Sequence, residues 1–155
     1  MTDVVSPEVR SRMMTGIRSK NTRPELLIRK CLHGRGFRYR LHDKRLPGKP
    51  DIVLPKFHAV IFVNGCFWHG HDCNLFKMPA TRTVFWQTKI ENNRRNDDSS
   101  NKALSSNGWR IATIWECAMK GPARQDEAAL IDQLAKWLYG DNNKLDITGE
   151  RKGQL

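Results

Sequence analysis

The 155-residue chain contains no long hydrophobic run, no internal repeat and no low-complexity segment. A membrane-spanning helix needs about 20 consecutive apolar residues, so the sequence argues against a protein that spans a membrane. The polar start Met1–Asp3 has none of the features of a secretory signal, and we expect an intracellular protein. Cysteine is scarce as well, and four cysteines in a reducing compartment indicate thiols or metal ligands rather than disulfides. The length suits one domain with an ordinary core.

Acidic residues are few relative to basic ones: 16 Asp and Glu stand against 27 Lys and Arg, a net charge of +11. Residues 1–50 hold 13 basic and 4 acidic groups (+9), whereas residues 51–155 hold 14 and 12 (+2). A concentrated positive field suits a polyanion, because neutralising phosphates releases condensed counterions. A solvated basic face and an anionic membrane surface are the alternatives, although no basic amphipathic helix supports the second. We predict that the partner is DNA.

Capping signals and hydrophobic patterns predict a compact α/β domain. The predicted elements are a short helix from Ser6, a helix from Thr22 to Gly34 or Gly36, strands at 51–54 and 57–63, a helix at 83–106, a strand at 109–117 and a helix at 126–139. We assign residues 21–140 to this domain and residues 1–20 to an N-terminal helix or arm that contacts DNA. Residues 141–155 read as a polar, mobile tail.

A short loop after the second predicted strand carries four metal-binding side chains: Cys66, His69, His71 and Cys73. Together with Cys117, at the end of a later strand, this loop can supply a Cys3His zinc site. Side-chain alternation does not choose between His69 and His71, because both share parity with Cys73. Cys31 lies on an apolar helix face and is interpreted as a small packed residue.

Three carboxylates are candidates for chemistry. Asp51 begins an apolar strand, where it can hold a hard cation such as Mg2+ or simply face solvent. Asp97 lies seven residues from both Ile90 and Leu104, so it shares their helix face and needs a partner, for which a histidine is suited. The alternative is that Asp97 or Asp98 lies on a solvated, polar helix surface. Glu25 has the spacing of a capping box with Thr22, although a catalytic role stays open.

Large and polar side chains that could contact bases occur in three places. The apolar candidates for insertion between bases are Met14, Ile17, Phe67, Trp68 and Trp86. Each of them could instead pack within the protein. Lys89 and Asn93 lie four residues apart on one helix surface and offer donors and an acceptor to base edges, as would any solvated face.

Together these residues resemble the very-short-patch mismatch repair endonucleases, a family of bacterial enzymes with a restriction-endonuclease-like fold. The similarity covers about residues 8–140 and is carried by Arg18–Glu25, Leu46–Asp51, Phe62–Cys73, Leu75–Trp86, and Gly108–Arg110 with Trp115–Ala118. The motifs Cys66–Cys73 and Phe76–Thr83 are too specific to match by chance. The resemblance implies a central mixed sheet flanked by helices, with a structural zinc site.

The resemblance also implies roles for the matching residues. Mg2+ would be bound by Asp51 and the backbone carbonyl of Val63. His69 would be the catalytic base, supported by Asp97, with Glu25 near the site. The implied zinc ligands are Cys66, His71, Cys73 and Cys117.

For DNA, the resemblance implies contacts on both sides of a T·G mismatch. The rings from the major groove would be Phe67, Trp68 and Trp86, and the minor-groove residues would be Met14 and Ile17. Lys89 and Asn93 would face the mismatched pair.

Asn64 departs from the family, which usually has a second histidine at this position. Asn can hydrogen-bond a phosphate but cannot carry a proton charge near neutral pH. We keep Asn64 among the catalytic residues and expect a changed rate and pH profile, with the metal site retained.

The sequence therefore predicts a Mg2+-dependent endonuclease that nicks DNA 5′ of the thymine in a T·G mispair. We expect it to act as a monomer on double-stranded DNA in the bacterial cytoplasm, with other mismatch-repair proteins as further partners. The alternatives are a restriction-type enzyme that cuts intact duplex, and a zinc-stapled DNA-binding module without catalysis.

Overall fold

The computed structural model describes residues 22–73 and 75–150. The α-helices within them are α1 (Arg23–Gly34), α2 (Thr83–Ser106) and α3 (Glu127–Tyr139). The strands are β1 (Arg40–Leu41), β2 (Ile52–Leu54), β3 (Ala59–Asn64), β4 (Arg110–Trp115) and β5 (Lys144–Ile147). Short 3-10 helices follow β2 and β4, at Pro55–Phe57 and Glu116–Ala118.

Side-chain caps determine where α1 and α3 begin. The hydroxyl of Thr22 accepts the Glu25 N–H at 3.4 Å, and the carboxylate of Asp126 accepts the Ala129 N–H at 3.2 Å. These bonds satisfy backbone donors that the first turn of a helix leaves without partners. The three predicted helices in this part of the chain agree with the structure to within two residues, and the range 83–106 agrees at both ends.

The strands form one mixed sheet in which spatial order follows chain order. β2 pairs antiparallel with both β1 and β3, whereas β4 runs parallel to both β3 and β5. Parallel neighbours require crossover connections, and α2 and α3 provide them. The prediction of an α/β domain with a mixed sheet flanked by helices is therefore confirmed.

Helices cover both faces of the sheet. The larger core lies between the sheet and α1 with α3, and includes Ile28, Leu32, Ile52, Ile61, Ile114, Leu134 and Leu138. The smaller core lies under α2, where Leu104 packs with Val53, Val60 and Ile111. Successive strand residues alternate between the two cores, which explains why the central strands are apolar on both faces.

No strand was predicted within residues 36–50 or after Gly140, but the structure has β1 and β5 there. β1 has only two residues, and β5 adds a parallel edge strand through pairs from Ile111–Lys144 to Ile114–Ile147. Ile147 is 1% exposed, so the first part of the predicted mobile tail is fixed in the sheet. Only one fully buried residue anchors β5, and such a short pattern carries little signal.

Two predicted strands are shorter in the structure than in the sequence analysis. The strand predicted at 57–63 begins at Ala59, because His58 has a positive φ of 52° after the 3-10 turn. The strand predicted at 109–117 ends at Trp115, and the 3-10 turn that follows carries Cys117.

Met14, Ile17 and the predicted N-terminal helix lie outside the described residues. Among the described helices, none combines the length and apolar character needed to cross a membrane.

Candidate active site and metal centre

Four side chains converge at the carboxyl ends of β3 and β4. One ligand atom from each of these residues lies within 4.8 Å of the other three: Cys66, His71, Cys73 and Cys117. Cys117 Sγ is 3.6 Å from His71 Nδ1. In a tetrahedral zinc site with ordinary Zn–S and Zn–N bonds, the S–N edge is about 3.6 Å. Both the donor set and its spacing fit a structural zinc ion.

Burial and backbone donors surround the sulfur atoms of this cluster. The N–H of Cys117 donates to Cys66 Sγ at 3.3 Å, and the N–H of Gly149 donates to Cys117 Sγ at 3.2 Å. Burial raises the pKa of the Cys66 and Cys117 thiols, while these N–H bonds lower it. A bound cation would remove the cost of holding thiolates in this buried place.

His71, a member of the Cys3His cluster, also packs against β4. It stacks on Trp115 with a centroid distance of 4.1 Å and an interplanar angle of 8°. Trp115 in turn donates its indole N–H to the carboxylate of Asp146 in β5, at 2.8 Å. The edge strand β5, which was not predicted from the sequence, thus helps to orient Trp115, on which His71 of the candidate zinc site is stacked.

Asp51 lies just before β2, beside the end of β3. Its Oδ2 accepts the backbone N–H of Val63 at 2.7 Å. Burial raises the pKa of Asp51 to about 6; the Val63 N–H lowers it, the charge of Glu25 raises it, and the charges of His42 and His69 lower it. Asp51 is therefore a half-buried carboxylate beside the buried carboxylate of Glu25, an arrangement that a divalent cation stabilises.

Glu25 and His42 complete a second cluster with Asp51, in which one ligand atom from each lies within 4.8 Å of the others. Glu25 is 2% exposed, and its Oε2 lies 2.8 Å from His42 Nε2 and 3.1 Å from Arg29 Nη1. The Thr22 cap and this contact coexist, because the cap uses the backbone N–H of Glu25 while the carboxylate faces Asp51.

His69 and Asp97 form a hydrogen-bonded pair between the loop and α2. Nδ1 of His69 bonds to Oδ2 of Asp97, and the side chains are 21% and 38% exposed. Asp97 thus has the histidine partner expected from its helix position, although it is half-buried rather than enclosed. Because the bond occupies Nδ1, Nε2 of His69 is the nitrogen left for a proton transfer.

α2 fixes the backbone of the same loop. Asn93 donates its amide to the Trp68 carbonyl at 2.7 Å, and Arg94 donates to the carbonyls of His69 and Gly70. Gly70 has a φ of +60°, and a Cβ there would lie 2.6 Å from Ile90. Only glycine fits this close approach of the loop to the helix.

An aromatic cluster adjoins the loop where α2 begins. Phe67 lies 5.2 Å from Trp68 and 5.3 Å from Trp86 between ring centroids, and Trp68 lies 5.9 Å from Trp86. Phe85 adds a ring that is 45% exposed, with the guanidinium of Arg82 over its face at 4.4 Å. The rings form one apolar patch with a positive charge beside it.

Three further predicted site residues, Asn64, Lys89 and Asn93, lie on β3 and α2. Asn64 ends β3 and, with Asp97, Ser100 and Thr113, lines a cleft of about 20 Å³, which has room for one water molecule. Lys89 lies on α2, half-buried, one turn before Asn93. The amide nitrogen of Asn93 donates to the Trp68 carbonyl. The side-chain oxygen of Asn93 can therefore accept a hydrogen bond from a group outside the protein.

His42, Arg94 and Gly149 also belong to these sites, although none of them was predicted from the sequence. For Arg94 a signal existed, because it lies three residues before Asp97 and is its neighbour on the surface of α2. For His42 and Gly149 the information lies in strand pairing, which the sequence analysis did not predict. Cys31 is separate from the metal cluster, and its thiol contacts Glu127 at 3.4 Å.

Comparison with known proteins gives consistent matches. The family model for the DNA mismatch endonuclease Vsr matches residues 2–75. The DNA mismatch endonuclease Vsr of Escherichia coli strain K12 is 40% identical over 147 residues, which cover 95% of this chain and 94% of that protein. The type II nicking enzyme V.XorIIP of Xanthomonas oryzae pv. oryzae is 51% identical over 119 residues, or 77% and 88% of the two chains. V.NmeAIP of Neisseria meningitidis serogroup A is 46% identical over 123 residues, or 79% and 88%.

Proposed function

Because the chain belongs to the Vsr family of DNA mismatch endonucleases, we propose that it nicks one DNA strand 5′ of the thymine in a T·G mispair, with Mg2+ as cofactor. The family resemblance seen in the sequence is thereby confirmed, and the chain is a DNA endonuclease. The observation that carries the finer proposal is the pairing of His69 with Asp97 beside the half-buried Asp51, next to a patch of aromatic rings.

His69 is the general base of the proposed reaction. With its Nδ1–H donated to Asp97, His69 accepts a proton from the attacking water at Nε2. The water oxygen bonds to the phosphorus, and the bond from phosphorus to the leaving oxygen breaks. The Asp97 carboxylate stabilises the imidazolium that results and keeps the ring oriented.

Asp51 and the carbonyl of Val63 would hold Mg2+. In a strand, the N–H and C=O of one residue face the same neighbour, and the Val63 N–H faces Asp51. The Val63 carbonyl is therefore on the Asp51 side as well, so two oxygen ligands of the kind Mg2+ prefers are available there. When bound, Mg2+ stabilises the negative charge that develops on the phosphoryl and leaving oxygens.

Cys66, His71, Cys73 and Cys117 would hold a structural zinc ion. Their spacing suits a closed tetrahedral site. A metal ion there would stiffen the loop, in which His69 follows Phe67 and Trp68 and precedes His71. The loop is also fixed to α2 by Asn93. A zinc ion held by these residues would support catalysis by keeping His69 in place.

The aromatic patch would insert at the mismatch. Unstacking a base step costs a few kcal/mol, and least where pairing is already poor, which favours a T·G site over intact duplex. Phe67, Trp68 and Trp86 supply the rings, and Lys89 with Asn93 would face the mispair. Met14 and Ile17 belong to the same proposal for the minor groove.

Asp51→Ala tests the metal assignment. We expect this variant to lose nicking of a T·G duplex in Mg2+ while keeping its affinity for that duplex, and cleavage that persists would refute the role of Asp51. The matched control is Asp43→Ala, since Asp43 contacts Arg45 and is not part of the cluster.

The same assay separates the rival functions. A perfectly paired duplex of the same sequence is compared with the T·G duplex, with Mg2+ and then with chelator. A restriction-type enzyme would cut the paired duplex equally well, and a DNA-binding module without catalysis would nick neither.

A further inference from the structure

His42 lies opposite Asp51 on the neighbouring segment of the sheet. The antiparallel register pairs Leu41 with Ile52, so His42 and Asp51 are the next pair outward. The N–H of His42 donates to the Asp51 carbonyl at 3.1 Å. His42 also has a φ of 47°, a left-handed conformation that a residue with a Cβ adopts rarely and at some energetic cost. The bend in the backbone is thus at His42 itself, the residue whose imidazole lies beside the carboxylates of Glu25 and Asp51.

The donor atoms of this cluster have the spacing of metal ligands. His42 Nε2 is 2.8 Å from Glu25 Oε2, and both lie within 4.8 Å of a carboxylate oxygen of Asp51. Adjacent ligands of an octahedral ion with bonds of about 2.1 Å lie about 3 Å apart. Arg29 donates to the same Glu25 oxygen, so this carboxylate keeps a charged partner when His42 contacts an ion instead.

We propose that His42 is a third protein ligand of the catalytic cation, with Glu25 and Asp51, and that it makes the site prefer Mn2+ or Co2+ over Mg2+. The inference rests on the proposed function, because it concerns the metal site of that reaction. Mg2+ favours oxygen ligands and gains little from an imidazole nitrogen, whereas affinity for nitrogen ligands rises along the first transition row. His42 thereby determines metal selectivity, while Asp51 and the Val63 carbonyl suffice for Mg2+.

Pulsed electron paramagnetic resonance of the Mn2+-loaded protein, without DNA, tests this directly. We expect a 14N coupling from imidazole in the wild-type spectrum, retained in His69→Gln and lost in His42→Gln. Glutamine matches the reach of Nε2 and can still donate to Glu25, but its amide nitrogen is not a metal ligand. Titration should show Mn2+ binding weakened about tenfold by His42→Gln, with Mg2+ binding changed less than about twofold.

A wild-type spectrum without nitrogen coupling overturns the proposal, whether or not His42→Gln folds. Loss of the coupling in His69→Gln but not in His42→Gln overturns it too, because the bound nitrogen would then belong to the proposed base. Nicking of the T·G duplex by the wild-type protein is measured in parallel. Nicking without nitrogen coupling refutes only the role of His42, whereas a protein that nicks with no divalent ion refutes the proposed function.

Discussion

Gly149 donates its backbone N–H to the Sγ of Cys117, at 3.2 Å, and so links the residues after β5 to the candidate zinc site. The N–H of Glu150 donates to the Ala123 carbonyl at 2.7 Å, which holds the segment in place. Donors of this kind stabilise thiolate ligands and orient them. The segment that follows β5 therefore contributes a backbone donor to the candidate zinc site.

We predict that Gly149→Ala weakens zinc retention and lowers stability by about 1–3 kcal/mol, the usual cost of overpacking. A Cβ at this position would lie 2.6 Å from the Cys117 carbonyl oxygen and 2.9 Å from Ala123, so the segment must move away from the sulfur. Zinc content after dialysis and thermal unfolding measure the effect. Gly34→Ala is the matched control, because no atom lies within 4 Å of its Cβ and alanine suits a helix.

Asp97→Asn should lower the nicking rate about 10²- to 10⁴-fold, the range of general-base catalysis, with little change in affinity for the T·G duplex. An amide cannot stabilise the imidazolium, and it can stabilise the wrong tautomer of His69. Single-turnover cleavage and fluorescence anisotropy give the two quantities. Asp98→Asn is the control: this neighbouring carboxylate is 71% exposed and pairs with Lys102. Equal losses in both variants would contradict the assignment of Asp97.

Trp86→Ala should weaken binding to a T·G duplex about tenfold or more, since stacking on one ring contributes about 1–3 kcal/mol. Binding to the paired duplex should change less, because its bases are already stacked. Competition binding with the two duplexes measures the ratio. Tyr139→Ala serves as the control, since this ring is 73% exposed and packs near Phe37 and Phe57, away from the patch. An unchanged ratio for Trp86→Ala would exclude insertion of this ring.

The helices and the loop ligands could be predicted from the sequence because their signals are local. The caps at Thr22 and Asp126 mark where helices begin, and Cys66 and Cys73 lie close together along the chain. The edge strands β1 and β5 could not be predicted, because they are short and bury few side chains. Residues that these strands position, above all His42, were therefore not predicted either.

Glu25 shows a second reason why the site was only partly predictable. The spacing from Thr22 predicts a capping box, and the structure has the bond from the Glu25 N–H to Thr22. The same residue places its carboxylate beside His42 and Arg29, where it is almost fully buried. A backbone cap and a side-chain contact use different atoms, so one pattern in the sequence does not exclude the other role.

The half-buried carboxyl of Asp51 makes the stability of the protein depend on pH. Its pKa is raised from 3.8 to about 6, first by burial, so between these values the folded protein holds a proton that the unfolded chain has lost. Stability therefore falls as pH rises from about 4 to about 6, by about 3 kcal/mol in the absence of Mg2+.

Asp51→Asn should remove this dependence, because its amide oxygen still accepts the Val63 N–H but carries no charge. In Mg2+-free buffer, we expect the variant to match the wild-type protein below about pH 4 and to be more stable above about pH 6. Adding Mg2+ at pH 7 should then raise the wild-type melting temperature and raise that of Asp51→Asn much less, because the amide lacks the negative charge with which Asp51 holds the ion. Thermal melts across the pH range measure both effects, with Asp98→Asn as an exposed control. Parallel curves for the wild-type protein and Asp51→Asn would show that Asp51 is already compensated without a metal ion, and the proposed Mg2+ site would lose its main support.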